Sequence, residues 1–319
     1  WGSRGIIPLA GFGTESQRKK EDFMLISILV TVVVGLIYFY VNLPALNLHA
    51  AEFYTFVLIL CAVYCGCSLI VTGFKAAGPK DYLKHLLKKC TIPVLAAAVL
   101  VVIAVVGNVA GNVLFRAKDY AELLVLKQGD FAQEVQEVSW EQIPMLDSNS
   151  ANTLANKKMG ELSDLVSQFE VNSNSAQINY QDRPVRATYL DYGDIVKWFK
   201  NRKEGIPAYL LIDMVTQEVS VKRLEEGMKY SPSEYFNRNI LRHLRFSYPT
   251  KMFYAINFEV DEEGTPYWCA SVVSKKIGLF GGTDITGAVL VNAMTGEHTY
   301  YDLADVPTWV DRVCSADLI

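Results

Sequence analysis

The sequence predicts two unlike parts: three transmembrane α-helices, followed by a soluble α+β domain of two helix-plus-antiparallel-sheet repeats. Uncharged apolar runs are confined to the first part, the two parts have opposite net charge, and a strand pattern recurs in the second. The predicted division is an N-terminal segment 1–22, a three-helix region 23–115, a helical stalk 116–175, and repeats 176–230 and 231–319.

Three apolar runs in the first part have the length of transmembrane helices. They are residues 23–43, 53–74 and 92–115, each 21 to 24 residues long and free of Asp, Glu, Lys and Arg. Because a helix of about 20 residues crosses the hydrocarbon core of a bilayer, each run is long enough to span it. The lipid bilayer is therefore the first predicted partner.

The distribution of Lys and Arg predicts the orientation of these helices. Four such residues precede the first run, five lie between the second and third runs, and the connection 44–52 has none. Because cytoplasmic loops carry the excess of Lys and Arg, we expect a multi-pass protein of the cell membrane with a cytoplasmic N-terminus and an extracytoplasmic C-terminal domain. The nine residues are Arg4, Arg18, Lys19, Lys20, Lys75, Lys80, Lys84, Lys88 and Lys89.

The third apolar run carries a small-residue motif and a polar pair. Gly107 and Gly111 are four residues apart, as are Asn108 and Asn112. Small residues let helices approach closely and Asn hydrogen-bonds between helices, which favours packing within the bundle or a homo-oligomer formed through the transmembrane helices. A substrate path is the alternative, but the runs lack the carboxylates and basic groups on which ion-coupled transport usually depends.

Charge divides the chain at the same place. Residues 1–116 hold 10 Lys and Arg against 5 Asp and Glu, whereas residues 117–319 hold 20 against 29. An acidic soluble part repels polyphosphates, so nucleic acid is not a predicted partner.

The sequence contains no recognisable reaction centre. Its histidines and cysteines lack the spacing of a zinc site, and no Gly-x-Ser-x-Gly motif occurs. We therefore predict no catalytic, cofactor-binding or metal-binding residue and no cofactor, which argues against an enzyme. Cys269 and Cys314 either pair as a disulfide in an oxidising compartment or remain two buried thiols.

Periodicity predicts the elements of the soluble part. Alternating apolar and polar residues predict a hairpin of strands 176–180 and 185–190. Helical spacing predicts helices at 152–170, 191–202, 233–246 and 306–314. The chain begins on Trp1 rather than Met and ends at Ile319 just after the last predicted helix, which leaves open whether it is a fragment at either end.

A strand-and-turn pattern occurs twice. Residues 205–209 (GIPAY) open a strand that turns at 216–218. Residues 264–268 (GTPYW) open strands that turn at 295–297. Both copies follow a predicted helix and share Gly-x-Pro-x-aromatic and a turn with Thr and Glu, which predicts two repeats.

The second copy resembles a PepSY-type domain. The resemblance rests on the helix, the Pro-Tyr-Trp strand and the turn VNAMTGE at 291–297, and it covers 253–303. A fainter match covers 206–224, where Gln217 replaces the turn Gly and the Trp is missing. The resemblance implies a small α+β module, membrane-anchored and extracytoplasmic in bacteria, that inhibits or modulates peptidases. Three spans followed by such modules are also similar to uncharacterised membrane proteins of Gram-positive bacteria.

Candidate partner-binding residues lie in the second copy. Tyr267 and Trp268 are adjacent on a strand and point to opposite faces, so one face of the sheet either binds a peptide or partner domain or is covered by helices. Arg238 and Arg242 lie on a basic helix that is either a solvated face or an anion site. The predicted ligand or partner surface comprises Tyr267, Trp268, His298, Tyr300, Arg238 and Arg242.

The sequence thus predicts a membrane-anchored extracytoplasmic binding or regulatory module that modulates envelope proteins or peptidases, with an envelope protein or peptide as partner. One alternative is an accessory subunit of a membrane transport or secretion complex, docked through the glycine motif of the third helix. The other is an envelope enzyme whose site is not recognisable in the sequence.

Overall fold

The computed structural model of the protein describes residues 15–73, 78–123, 128–135, 137–314 and 318. The chain divides into a helical unit, residues 1–44 and 51–105, and a sheet unit, residues 45–50 and 106–319. Arg4 and Lys75, which contribute to the predicted orientation, lie outside the described residues.

Three long helices carry the apolar runs. They are α1 Glu15–Asn42, α2 Ala51–Gly73 and α3 Pro79–Ala110. The stretches long and apolar enough to cross a membrane are Leu25–Asn42, Ala51–Gly73 and Leu87–Ala110. Only 6 to 11 % of each stretch is buried within the protein, so these apolar side chains face outward. Such helices are compatible with a multi-pass membrane protein.

The third helix ends earlier than its apolar run predicts. α3 ends at Ala110, and a new helix, α4 Val113–Ala121, begins after the N-cap residue Asn112. The Asn112 side chain accepts a hydrogen bond from Leu114 N at 3.0 Å, which satisfies one of the amides that a helix start leaves open. The apolar run 92–115 is therefore divided between α3 and α4 rather than forming one helix.

The predicted stalk is helical only in short pieces. After α4 come α5 Phe131–Glu134, a 3₁₀ turn at Trp140–Gln142, α6 Ser148–Gly160 and strand β1 Phe169–Val171. The N-cap of α6 is Asp147, whose carboxylate accepts from the amides two and three residues later. The helix predicted for 152–170 therefore starts earlier and ends earlier, since its last residues form β1.

Five antiparallel strands form the first sheet. Besides β1, its elements are β2 Ala176–Tyr180, β3 Arg183–Tyr192, α7 Ile195–Asn201, β4 Ile206–Asp213 and β5 Val219–Met228. The strand order is β1-β3-β4-β5, with β2 paired to β3. The predicted hairpin is confirmed, since Ala176 lies opposite Ala187 and Tyr180 opposite Arg183. Helix α7 begins at the cap Asp194, later than predicted, because β3 continues to Tyr192.

Four antiparallel strands form the second sheet. With the helix before them, its elements are α8 Ile240–Ser247, β6 Met252–Val260, β7 Pro266–Ile277, β8 Gly281–Asn292 and β9 His298–Asp302. The strands follow in sequence order. Helix α8 is shorter than the predicted 233–246 because Asn239 is its N-cap and the residues before it form the 3₁₀ turn Phe236–Arg238.

The turns after β4 and β8 have the same hydrogen-bond pattern. In the first, Asp213 Oδ1 accepts from the amides two and three residues later, at 2.9 and 2.8 Å. In the second, Asn292 Oδ1 accepts from the amides at the same two positions, at 2.9 and 3.0 Å. In both, a Thr hydroxyl accepts from the amide of the turn Glu. The residue before that Glu has a positive φ, 62° at Gln217 and 79° at Gly296.

The two sheets contact each other through buried aromatic rings. Tyr189 and Tyr209 of the first sheet meet Phe258 and Trp268 of the second, with ring centroids 4.7 to 5.7 Å apart. Tyr209 Oη also donates to Gly264 O at 2.8 Å. These rings form the centre of the sheet-unit core, since aromatic pairs add to the stabilisation given by their buried area.

The outer faces of the two sheets have different covers. Helix α6 packs on the first sheet and buries Ala151, Ala155 and Met159. Residues 306–313, which we name the C-terminal segment, pack on the outer face of the second sheet. This segment is not helical, so the helix predicted for 306–314 is wrong.

Candidate functional site

An exposed surface of aromatic and basic side chains forms where α7 meets the chain preceding α8. Trp198 lies 4.7 Å from Tyr235 and 6.0 Å from Phe236 between ring centroids. Two depressions of about 370 and 380 Å³, which share Tyr235, open between these elements. We name the group the aromatic–cationic surface. Trp198 is buried beneath it, and its exposed or half-exposed members are Phe199, Arg202, Tyr235, Phe236, Arg238 and Arg242.

A buried carboxylate fixes the base of this surface. Glu234 is 3 % exposed and accepts hydrogen bonds from Tyr192 Oη at 2.8 Å and Trp198 Nε1 at 2.7 Å. Burial raises the pKa of Glu234, and the bonds from the two donors lower it. Burial likewise raises the pKa of Tyr192. Because a buried polar group needs its partners, Glu234 holds the Trp198 ring in one orientation and joins α7 to the chain before α8.

The arginines of the surface bind backbone carbonyls and stack on rings. Arg238 Nη1 donates to Arg202 O at 2.5 Å, and Arg242 Nη1 donates to Phe236 O at 2.6 Å. The Arg202 guanidinium carbon lies 4.3 Å from the Phe199 ring centroid. A guanidinium has five N–H donors, so Arg202 and Arg238 can bind a further acceptor while they keep these contacts.

The surface combines exposed rings with positive charge in an acidic domain. Phe199 is 61 % exposed and Phe236 is 65 % exposed. Residues 194–204 and 231–245 together carry 7 Lys and Arg against 3 Asp and Glu, whereas residues 117–319 as a whole carry 20 against 29. Phe236 also has a φ of 54°, a backbone conformation that costs energy for a residue with a side chain and that is concentrated at functional sites.

These groups are suited to recognition. Guanidinium groups bind carboxylates through paired hydrogen bonds, and aromatic rings supply apolar contact area. Among the described residues, no group of three or more His, Cys, Asp or Glu side chains is placed to hold a metal ion.

Of the predicted partner surface, only Arg238 and Arg242 belong to the aromatic–cationic surface. His298 and Tyr300 lie on β9 and line neither depression. His298 Nδ1 is 3.1 Å from Tyr248 Oη, and Lys251 Nζ is 3.5 Å from the Tyr300 ring centroid.

Trp268 is a core residue, which corrects its predicted place on a partner surface. It is 1 % exposed, its Nε1 donates to Tyr230 O at 2.8 Å, and rings of both sheets pack on it. Tyr267 points to the opposite face of β7 and packs against Trp309 at 5.1 Å between ring centroids. The cover of that face is therefore the C-terminal segment rather than a helix.

The glycine motif at the end of α3 faces the turn between β7 and β8. A Cβ atom at Gly107 would lie 2.6 Å from Leu279 Cδ2, and Tyr120 Oη donates to Gly111 O at 2.8 Å. The glycines thus permit close approach of this turn. Asn108 is exposed on α3 and Asn112 caps α4, so the two do not form a pair on one helix.

Cys269 and Cys314, for which the sequence leaves a disulfide and two buried thiols open, are free thiols in this structure. Cys269 is completely buried on the outer face of the second sheet, and Cys314 is exposed. Burial raises the pKa of the Cys269 thiol, and Glu259 and Cys314 raise it further.

The sequence reasoning missed Trp198, Phe199, Phe236 and Glu234. The run WFKNRK at 198–203 interleaves aromatic and basic residues and was the available signal for the first two. Glu234 gave no signal, because its donors lie 36 and 42 residues away along the chain and a local pattern does not show them.

Comparisons with known proteins give no match: no protein family, curated protein or solved structure is significantly similar to this chain. The resemblance of 253–303 to PepSY-type domains therefore stays a prediction.

Proposed function

We propose that the chain is a membrane-anchored, extracytoplasmic binding or regulatory module that modulates envelope proteins, peptidases among them. The observation that carries the proposal is the aromatic–cationic surface, in which the exposed rings of Phe199, Tyr235 and Phe236 lie beside half-exposed arginines on an otherwise acidic domain. Trp, Tyr and Arg are the residue types that dominate binding energy at protein interfaces. The matching partner is an acidic protein segment with an apolar or aromatic residue between its carboxylates.

Support for the position outside the membrane comes from the connection between α1 and α2. Leu46 N donates to Pro249 O at 2.8 Å, and His49 Nδ1 donates to Leu279 O at 2.8 Å. The connection and the sheets thus belong to one unit, as expected if α2 and α3 both cross the membrane. The excess of Lys and Arg at the other ends of the helices favours the extracytoplasmic side for this unit.

We propose further that the two sheets are PepSY-like repeats. The support is the common hydrogen-bond pattern of the turns after β4 and β8. In addition, Met214 N donates to Pro184 O and Ala293 N donates to Pro266 O, both at 3.0 Å. By these hydrogen bonds, β3 and β4 of the first sheet correspond to β7 and β8 of the second. The GIPAY run opens β4 whereas the GTPYW run opens β7, so the two Gly-x-Pro runs do not lie on corresponding strands. Helix α7 connects β3 to β4, where the second sheet has the short turn between β7 and β8.

Crosslinking in intact cells tests the proposed partner surface. A photoreactive amino acid at Phe236 should capture a partner, and the same probe at the exposed Glu226 of β5 should not. Arg238→Glu with Arg242→Glu should abolish capture, whereas Arg223→Glu, which reverses an exposed charge of β5, should leave it unchanged. Equal capture at both probe positions, or capture that survives the double reversal, contradicts the proposal.

Two further readouts separate the proposed function from its alternatives. Protease added to intact cells should digest the sheet unit, and full protection would place it in the cytoplasm. Identification of the captured protein as a peptidase or another soluble envelope protein supports the proposal. Capture of a subunit of a transport or secretion complex would favour the accessory-subunit alternative instead.

A further inference from the structure

The outer face of the second sheet carries polar side chains that bind the C-terminal segment. The two carboxylate oxygens of Glu259 accept from Asp311 N at 2.9 Å and Arg312 N at 2.8 Å. Asn257 Nδ2 donates to Arg312 O at 3.1 Å, and Ser271 Oγ donates to Val313 O at 2.7 Å.

All four of these hydrogen bonds reach backbone atoms of the segment. Every peptide presents the same N–H and C=O groups whatever its side chains, so this recognition is tolerant of sequence. Glu259 and Ser271 are completely buried beneath the segment. Since a buried carboxylate without partners is costly, the face is built for a peptide above it.

Two side-chain contacts add selectivity to the backbone contacts. Val313 is 6 % exposed and packs with Cys269, Ala288 and Leu290. Four residues before it, the Trp309 ring rests on Tyr267. Asp311, between them, points away from the face and accepts a hydrogen bond from Asn179 N. The face therefore selects a small apolar residue with an aromatic residue four positions earlier.

We infer that the outer face of the second sheet is a peptide-binding groove for a non-helical segment of a partner protein, and that the C-terminal segment is its intramolecular occupant. An occupant on the same chain has an effective concentration in the millimolar range, so a partner binds only when the C-terminal segment is weakened or released. This inference uses none of the residues of the aromatic–cationic surface, so its failure and the failure of the proposed function are distinguishable.

The test measures peptide binding to the full chain in detergent micelles by fluorescence anisotropy. The probe is a labelled peptide of residues 305–313, with a scrambled peptide as control. Val313→Asp places a charge in an apolar pocket and should release the C-terminal segment, so this variant should bind the probe at least about tenfold more tightly than the wild type does. Asp311→Pro removes one amide that Glu259 binds and should act in the same direction.

The groove itself is tested in the Val313→Asp background. Adding Glu259→Gln should weaken probe binding about tenfold or more, because Gln replaces one of the two acceptor oxygens with an NH2 group that faces a backbone N–H. Adding Glu263→Gln, the same change at an exposed carboxylate, should have no effect. Hydrogen exchange should show that the amides of 311 and 312 lose protection in Val313→Asp while the strands of the first sheet keep theirs.

Three results would overturn the inference. The first is equal probe binding by the wild type and by both releasing variants. The second is binding that does not depend on Glu259 or that the scrambled peptide reproduces. The third is a wild-type dimer that dissociates on Val313→Asp, since this would assign the groove to a second copy of the chain.

Discussion

The outer faces of the two sheets are covered by chain segments of different conformation. Helix α6 covers the first sheet, and its backbone amides and carbonyls bind each other within the helix. The C-terminal segment covers the second sheet in a non-helical conformation. It has a turn bond from Val310 N to Pro307 O at 3.1 Å, and backbone groups of residues 311–313 are bound by the side chains of Asn257, Glu259 and Ser271. A helical cover therefore requires only small apolar contacts, whereas a non-helical cover requires polar side chains on the sheet.

The largest expected effect comes from the rings that both sheets share. Trp268→Ala should lower the free energy of unfolding by about 3–5 kcal/mol, because it leaves a cavity between the sheets and removes the bond to Tyr230 O. Urea unfolding in detergent, followed by circular dichroism, measures the loss. Trp140→Ala, at a ring that is 88 % exposed, is the control and should change the midpoint little. A Trp268→Ala midpoint as high as that of this control would contradict the shared core.

A difference between the two covers should appear in the dependence of stability on pH. Burial raises the pKa of Glu259 to about 7, although its two amide donors lower it. A folded-state pKa above the unfolded value of about 4.3 means that the contribution of Glu259 is fully present below that value and is lost as pH rises through about 7. The contribution reaches up to about 3 kcal/mol. Burial raises the pKa of Asp311 as well, so the contribution of Asp311 to stability is also lost as the pH rises.

The measurement is the urea midpoint of the wild type and of Glu259→Gln at pH 5 and pH 8. The wild type should lose more stability between these pH values than Glu259→Gln does, because the amide does not titrate. Glu263→Gln should keep the wild-type difference. Identical pH dependence in the wild type and in Glu259→Gln would show that the carboxylate under the C-terminal segment does not couple to folding.

The stability of α6, the helix that covers the first sheet, depends on the cap at its N-terminus. Asp147→Ala removes the two amide bonds and the Ser150 hydroxyl bond at the start of α6 and should destabilise the helix by about 1 kcal/mol. Hydrogen exchange should detect faster opening of α6 with unchanged protection in the second sheet. Asp130→Ala removes a cap from the four-residue α5, which buries no residue, and should be close to neutral. Equal effects of the two substitutions would mean that α6 contributes little as a cover.

The parts of this fold that the sequence predicts are those decided locally. The three long apolar helices follow from run length, and the hairpin β2–β3 and the turns follow from alternation and turn chemistry. The C-terminal segment shows the limit of this reasoning. Val306, Trp309, Val310 and Val313 have helical spacing, but contacts with the second sheet decide the conformation.

The candidate site was less predictable than the fold. Arg238 and Arg242 were found because charge is visible in the sequence. Glu234 and Glu259 were not, because their roles depend on burial and on donors from distant parts of the chain. Trp268 was misplaced because alternation on a strand shows that two neighbours face opposite sides, but it does not show which side is the core.

The smallest expected effect distinguishes the two matching turns. Gln217 adopts a φ of 62° where the second turn has Gly296. Gln217→Gly relieves a conformation that costs about 1–2 kcal/mol for a residue with a side chain, against about 0.5–1 kcal/mol of added chain entropy. We expect a gain of up to about 1 kcal/mol in the free energy of unfolding. The reciprocal Gly296→Gln should cost more than this gain, because its Cβ would clash with the Tyr230 ring. Urea midpoints of the two variants measure both effects, and a loss of stability in Gln217→Gly would show that the Gln217 side chain contributes contacts that a glycine cannot replace.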